Sequence, residues 1–187
     1  MVIARRVVLI AAALALVLFV GYLWAAESYR LDHGGMSWHG ADADDGTIGS
    51  RTGVRFAFSP NKLATFGVSI RNPGPVPVTI TRVVVDDDPD GYAIFKVVNV
   101  AVGRADTSTA VFDQAAATPL RSMRIGPGKE LPVFVTITMP DVPSVPGGDL
   151  YTDDLTVDYE VLGLFRHQRV PMGFRLSLHT PGGDTPR

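Results

Sequence analysis

Between Arg6 and Glu27 the chain carries no charged side chain: Val7–Ala26 is an unbroken apolar run that follows directly on Arg5-Arg6. These twenty residues, rising about 1.5 Å each, make roughly 30 Å of helix, the thickness of a bilayer's hydrocarbon core. The run predicts one N-terminal transmembrane helix over residues 7–26. Arg5 and Arg6 favour the cytoplasmic side, Tyr22 and Trp24 suit the opposite headgroup interface, and Glu27 opens the exported part. Residues 1–6 are therefore expected in the cytoplasm and the C-terminal part outside it, a single-pass protein of the cell membrane.

A cleaved secretory signal has the same positive start, but a shorter apolar stretch and small residues just before the cut. Here a cut after Ala26 places Trp24, and a cut after Ala25 places Leu23, where a small side chain is required. The length and these positions favour a retained anchor. Arg5-Arg6 also shares part of a twin-arginine export signal, within an incomplete surrounding pattern. The chain has no cysteine, which excludes a lipid-modified cysteine as anchor and any disulfide. The exported domain must rest on its core alone.

From Arg51 onward, fourteen Arg and Lys balance fourteen Asp and Glu. No global field draws such a domain to nucleic acid, and no nucleic-acid partner is expected. Residues 27–52 are rich in Gly, Asp, Ser and His and poor in aliphatic side chains. Burial there cannot offset the entropy of ordering, so the segment reads as a flexible linker. The remainder of the chain is of a size usual for one domain.

After the linker the hydrophobic period becomes two. Val54, Phe56 and Phe58 alternate with Arg55 and Ala57, and Phe66, Val68 and Ile70 alternate with Gly67, Ser69 and Arg71. Asn72-Pro-Gly-Pro supplies a turn, after which Val76, Val78 and Ile80 resume the pattern. The parity slips at Arg82, since Val83 and Val85 stand on odd positions, and this predicts a bulge. Tyr92–Val102 reads as a strand, and Gly103–Pro119 as a long loop with a short helical turn at Ala115–Ala117. Val133, Val135, Ile137 and Met139 alternate with Phe134, Thr136 and Thr138. Leu155 to Val161 and Val170 to Leu178 form two further alternating runs, expected to pair as a hairpin. Phe66, Val68, Ile70, Val135, Ile137, Val157, Tyr159, Phe174 and Leu176 are the expected core.

About seven short strands at this spacing, with Gly and Pro turns between them, predict an all-β, two-sheet antiparallel sandwich, with a closed barrel as the alternative. Asn72-Pro-Gly-Pro-Val-Pro-Val-Thr-Ile-Thr-Arg-Val resembles the turn and third strand of many bacterial immunoglobulin-like domains. Ile125-Gly-Pro-Gly-Lys-Glu-Leu-Pro-Val-Phe-Val resembles their recurrent turn into a strand. The two stretches cover about a fifth of the domain. The resemblance implies an immunoglobulin-like sandwich over residues 53–179, followed by a disordered tail at 180–187, and a role in adhesion, scaffolding or assembly. The Cys, Trp, Cys signature of antibody-type members is absent.

Two segments carry metal-ligand residue types. Asp86, Asp88 and Asp90 stand at alternate positions before Gly91, as in the first half of a calcium loop, where hard carboxylate oxygens converge. The twelfth position is Val97, so the bidentate carboxylate is missing, and Asp153-Asp154 is another source of one. The plainer reading is a turn between strands. His33, Met36 and His39 offer imidazole and thioether ligands for copper, with Met123, His167, Met172 and His179 as further donors. Against copper stands the flexibility expected of the segment, because soft-metal sites need ligands fixed by a fold.

No Gly-x-Ser-x-Gly elbow, His-Glu-x-x-His motif or glycine-rich phosphate loop is present, and Asp158 with Glu160 reads as a solvated strand face. The expectation is no catalysis and no cofactor. Leu162-Gly-Leu164-Phe165-Arg166-His-Gln-Arg169 places apolar and basic residues together at a hairpin bend. Leu164, Phe165, Arg166 and Arg169 are the candidate contacts for a protein partner in the membrane or cell envelope. The alternative is that they cap the core. The expected function is a membrane-anchored extracytoplasmic interaction or assembly module; a metal-binding accessory protein, for calcium or copper, is the alternative.

Overall fold

The computed structural model describes residues 2–40, 43–48, 51–85, 95–103, 116–139 and 147–180. Helix α1 spans Val2–Glu27, and its aliphatic side chains from Leu9 to Val20 are exposed. Among the described residues it is the one helix long and apolar enough to cross a membrane. A helix apolar on all sides with no protein packed around it is suited to a lipid environment.

Eleven strands follow among the described residues: β1 (Asp32–His39), β2 (Ala43–Ile48), β3 (Arg51–Ala57), β4 (Leu63–Arg71), β5 (Val78–Val85), β6 (Lys96–Val102), β7 (Thr118–Pro119), β8 (Met123–Ile125), β9 (Glu130–Thr138), β10 (Asp149–Val161) and β11 (Leu164–His179). They form two sheets, ordered β1-β4-β9-β6-β7 and β2-β3-β11-β10-β5-β8. The expected two-layer β architecture is present. The strands outnumber the expected seven, and the pairing is not wholly antiparallel, because β3 runs parallel to β11 from Gly53↔Arg175 to Ala57↔His179.

All nine expected core residues are buried. The two sheets meet where the rings of Phe66 on β4 and Phe174 on β11 pack edge to face, centroids 6.2 Å apart. The parity slip in β5 is a bulge: Ile80 pairs with Tyr159 and Arg82 with Asp158, which leaves Thr81 without an opposite residue. The extra residue keeps Ile80, Val83 and Val85 all buried. Phe134, expected to face outward, is also buried, because the indole of Trp38 covers it edge-on at 6.0 Å.

The segment read as a linker is part of the sandwich. β1 pairs with β4 at one sheet edge, and β2 pairs with β3 at the edge of the other. Such edge strands need few aliphatic side chains, since ladder hydrogen bonds rather than a buried face hold them. The strands of the sandwich therefore begin at Asp32, not Gly53, and Thr180 closes it with a backbone bond to Gly148. The rest of the expected tail, residues 181–187, and the loop 104–115 lie outside the described residues, and so do Asp86, Asp88, Asp90 and Gly91.

Candidate functional site

Helix α1 passes into the sandwich without slack. Only Ser28–Leu31 separate Glu27 from β1, and within that passage Tyr29 and Leu31 are buried in the core. The Tyr29 hydroxyl lies 2.6 Å from both the Oδ1 of Asn72 and the Val76 carbonyl. Asn72, fully buried in the β4–β5 turn, also receives the Gly74 N–H and donates to the Val76 and Ile125 carbonyls. The Tyr159 hydroxyl donates to the Tyr29 carbonyl at 2.9 Å. Burial raises the pKa of both phenols, and the positive Arg30 and Arg166 near Tyr159 only partly oppose this.

The β10–β11 hairpin completes the junction. Its two-residue turn has positive φ at both positions, 53° at Leu162 and 75° at Gly163, the twist that joins two antiparallel strands tightly. Leucine there holds a conformation costing about 1–2 kcal/mol for an L-residue. Its carbonyl accepts a hydrogen bond from the Tyr22 hydroxyl of α1. Along β11, Leu164, Arg166 and Gln168 share the parity of the core-facing Val170, whereas Phe165, His167 and Arg169 lie on the opposite, exposed face. The Nε of Arg166 donates to the Ala26 carbonyl at 3.1 Å, and its Nη2 pairs with the Glu27 carboxylate at 3.1 Å. This caps the last turn of the helix with a cation, as the helix dipole favours.

The four candidate contacts thus divide. Phe165 is 76% exposed and Arg169 is exposed, while Leu164 is half-buried and Arg166 is engaged with the helix end. A cavity of about 310 Å³ between the helix end and the hairpin is lined by Glu27, Arg30, Tyr159, Arg166 and Arg169 among others. The charges of Arg30 and Arg166 act on Tyr159 there, beside the Glu27 carboxylate. Tyr29, Asn72, Tyr159 and Gln168 do most of the positioning. Their composition gave no sign of it, because the groups they satisfy are backbone atoms far away in sequence.

On the outer face of the hairpin, His167 Nδ1 lies 2.6 Å from Asp158 Oδ1, and Arg82 lies 3.4 Å from the other carboxylate oxygen. Glu160 shares that face, so the pair Asp158 and Glu160 is a solvated strand face with ion pairs.

The copper candidates do not converge. His33 lies against Gly173 of β11, His39 Nε2 pairs with Asp45 of β2 at 2.8 Å, and Met36 stands in the bulge between them, where its N–H meets Ser69 Oγ. The two imidazoles occupy opposite ends of a strand that rises about 3.3 Å per residue. Asp153, the second source of a calcium ligand, is held in a two-pronged pair by Arg175, at 2.9 and 3.0 Å, and that guanidinium also stacks 4.0 Å over the Tyr151 ring. The bond to Asp153 raises the pKa of Arg175.

No protein-family model matches the chain, and no curated protein matches it in sequence. Among solved structures it is similar to the Vibrio cholerae VesB protease at 12% identity and a TM-score of 0.35, over 75% of this chain and 32% of that one. A PapD-like domain of human CEP192 aligns at 17% identity and a TM-score of 0.32, covering 70% and 82%. A family 123 glycoside hydrolase from Clostridium perfringens aligns at 12% identity and a TM-score of 0.39, covering 84% and 28%. The chain thus spans about a third of the protease and less of the hydrolase. Likeness at this level assigns neither family nor activity.

Proposed function

We propose that the chain is a membrane-anchored, extracytoplasmic interaction or assembly module that works without catalysis, by binding another membrane or cell-envelope protein. α1 serves as the retained anchor, with Arg5 and Arg6 on the cytoplasmic side. The sandwich is immunoglobulin-like, one sheet built on β1-β4-β9-β6 and the other on β3-β11-β10-β5. The observation that carries the reading is the rigid seam: Tyr29, Leu31, Asn72, Gln168 and Arg166 join the helix end to the domain within four residues. A domain held so tightly is presented at one height and orientation above the bilayer, which suits a fixed contact between neighbouring envelope proteins better than capture of a distant partner. The proposed contact is the exposed face of the hairpin above its tip, centred on Arg169.

The test is a photoreactive side chain at position 169 of the full-length protein in its native membrane. A discrete protein adduct, absent when the group is moved to Asp44 on β2, is the expected result. Adducts only at other surfaces would move the contact elsewhere. No protein adduct from any face of the sandwich would end the reading.

A further inference from the structure

The tip of the β10–β11 hairpin does not project into open solvent but turns back along the anchor helix. The Leu162 carbonyl accepts from Tyr22, and Tyr22 is also the side chain that faces Gly163. Tyr22 lies five residues before the helix end at Glu27, about 7 to 8 Å down the axis at 1.5 Å per residue. A helix that spans a bilayer places Tyr22 and Trp24 in the headgroup belt, and whatever touches Tyr22 shares that depth. We infer that the hairpin tip is set into the outer interface of the same bilayer that α1 spans, with Phe165 in lipid and the cavity beside Arg30 and Arg166 at the level of the lipid phosphates. The inference rests on the anchor reading above and assigns lipid, not protein, as the surroundings of Phe165.

Three independent features of this end fit lipid. Among the described residues of the sandwich Phe165 is the most exposed large apolar side chain, at 76%, and amphipathic elements at an interface bury their apolar residues about 5–10 Å deep. The Leu162 carbonyl at the turn is already satisfied by Tyr22, and irregular backbone enters a low-dielectric layer only when its polar groups have partners. Arg30 and Arg166 line the cavity beside one carboxylate, Glu27, and their charges reach Tyr159 on its wall. These guanidinium groups lie above the apolar tip, where phosphate oxygens accept hydrogen bonds from them. The alkyl stems of the arginines let the charged heads stay at that level.

Because the chain has no cysteine, single spin labels can be placed without background. Full-length Phe165→Cys, Leu18→Cys and Tyr151→Cys variants are labelled and reconstituted in nanodiscs of phosphatidylcholine and phosphatidylglycerol. Collisions with oxygen, which concentrates in lipid, and with a water-soluble nickel complex are then measured. Phe165 and Tyr151 are both exposed, so the labels leave folding intact, checked by an unchanged circular dichroism melt. The expected result is a label at 165 that favours oxygen and collides with the nickel complex several-fold less than the label at 151. Equal nickel accessibility at 165 and 151 would overturn the inference, and so would a label at 165 immobilised and shielded from both reagents, which is burial by a protein. A label at 18 that does not favour oxygen would remove the anchor reading itself, and the inference with it.

Discussion

The side-chain amide of Gln168 pairs with the backbone of Leu31 as a neighbouring strand would, its Oε1 accepting the Leu31 N–H at 2.8 Å and its Nε2 donating to the Leu31 carbonyl at 2.8 Å. Leu31 is buried just before β1 begins, and none of the described strand ladders includes it. One polar side chain thereby holds the passage from helix to sandwich. Gln168→Leu keeps the size but strands both backbone groups, at about 1–3 kcal/mol for each buried group left unpaired. The full-length variant in detergent should melt several degrees lower than wild type, and hydrogen exchange should rise at residues 28–33 before it rises in β9.

Strand register can be checked on β9. Ile137 is buried between the sheets, whereas Thr136 is half-exposed and meets Thr65 Oγ1 at 3.1 Å on the outer face. Ile137→Ala should cost about 2–5 kcal/mol. Thr136→Ala should cost about 1 kcal/mol or less. Denaturant midpoints of the two variants measure the difference, and equal losses would contradict the register.

Gly173 and His33 are coupled across the two sheets. Gly173 has φ of 79°, and a Cβ on it would lie 2.6 Å from the His33 ring. Gly173→Ala should therefore destabilise through both backbone strain and collision. Adding His33→Ala should recover the collision part only. A double-mutant cycle should show a favourable coupling between the two substitutions, and strict additivity would mean that the ring does not press on β11.

The buried phenols set an alkaline limit. Tyr29 and Tyr159 have pKa values raised above the usual 10.0, with burial the main cause. The unfolded chain therefore releases these protons at lower pH than the folded one. Stability should be unaffected by them below about pH 9 and should fall as pH rises through 10 and beyond. Melting temperatures across pH 7–12 test this, and the alkaline decline should be shallower in Tyr159→Phe.

The orientation proposed for α1 rests on Arg5-Arg6 and the apolar run. Protease added outside spheroplasts should digest the sandwich while the membrane is intact, and protection until lysis would reverse the orientation. A mature N-terminus at Ala26 or Glu27 would instead mean that the helix is a cleaved signal.

Alternation of apolar and polar side chains was enough, without any tertiary information, to locate β4, β5, β9, β10 and β11, their inward faces and a bulge in β5, read at Arg82 and found one residue earlier at Thr81, because a strand with one buried face must repeat every two residues. The apolar run at the start likewise declared itself by length. The strands β1 and β2 left no such mark: at sheet edges backbone pairing suffices, so Gly, Asp and His are admitted and the segment resembles a linker. The separation of His33 from His39 and the pairing of Asp153 with Arg175 depended on partners in other strands. The same holds for the tip of the hairpin beside Tyr22 and for the work of Asn72 and Gln168. A polar side chain's role is decided by which distant backbone groups would otherwise be buried unpaired, and only the folded arrangement of the sheets around the helix end determines which those are.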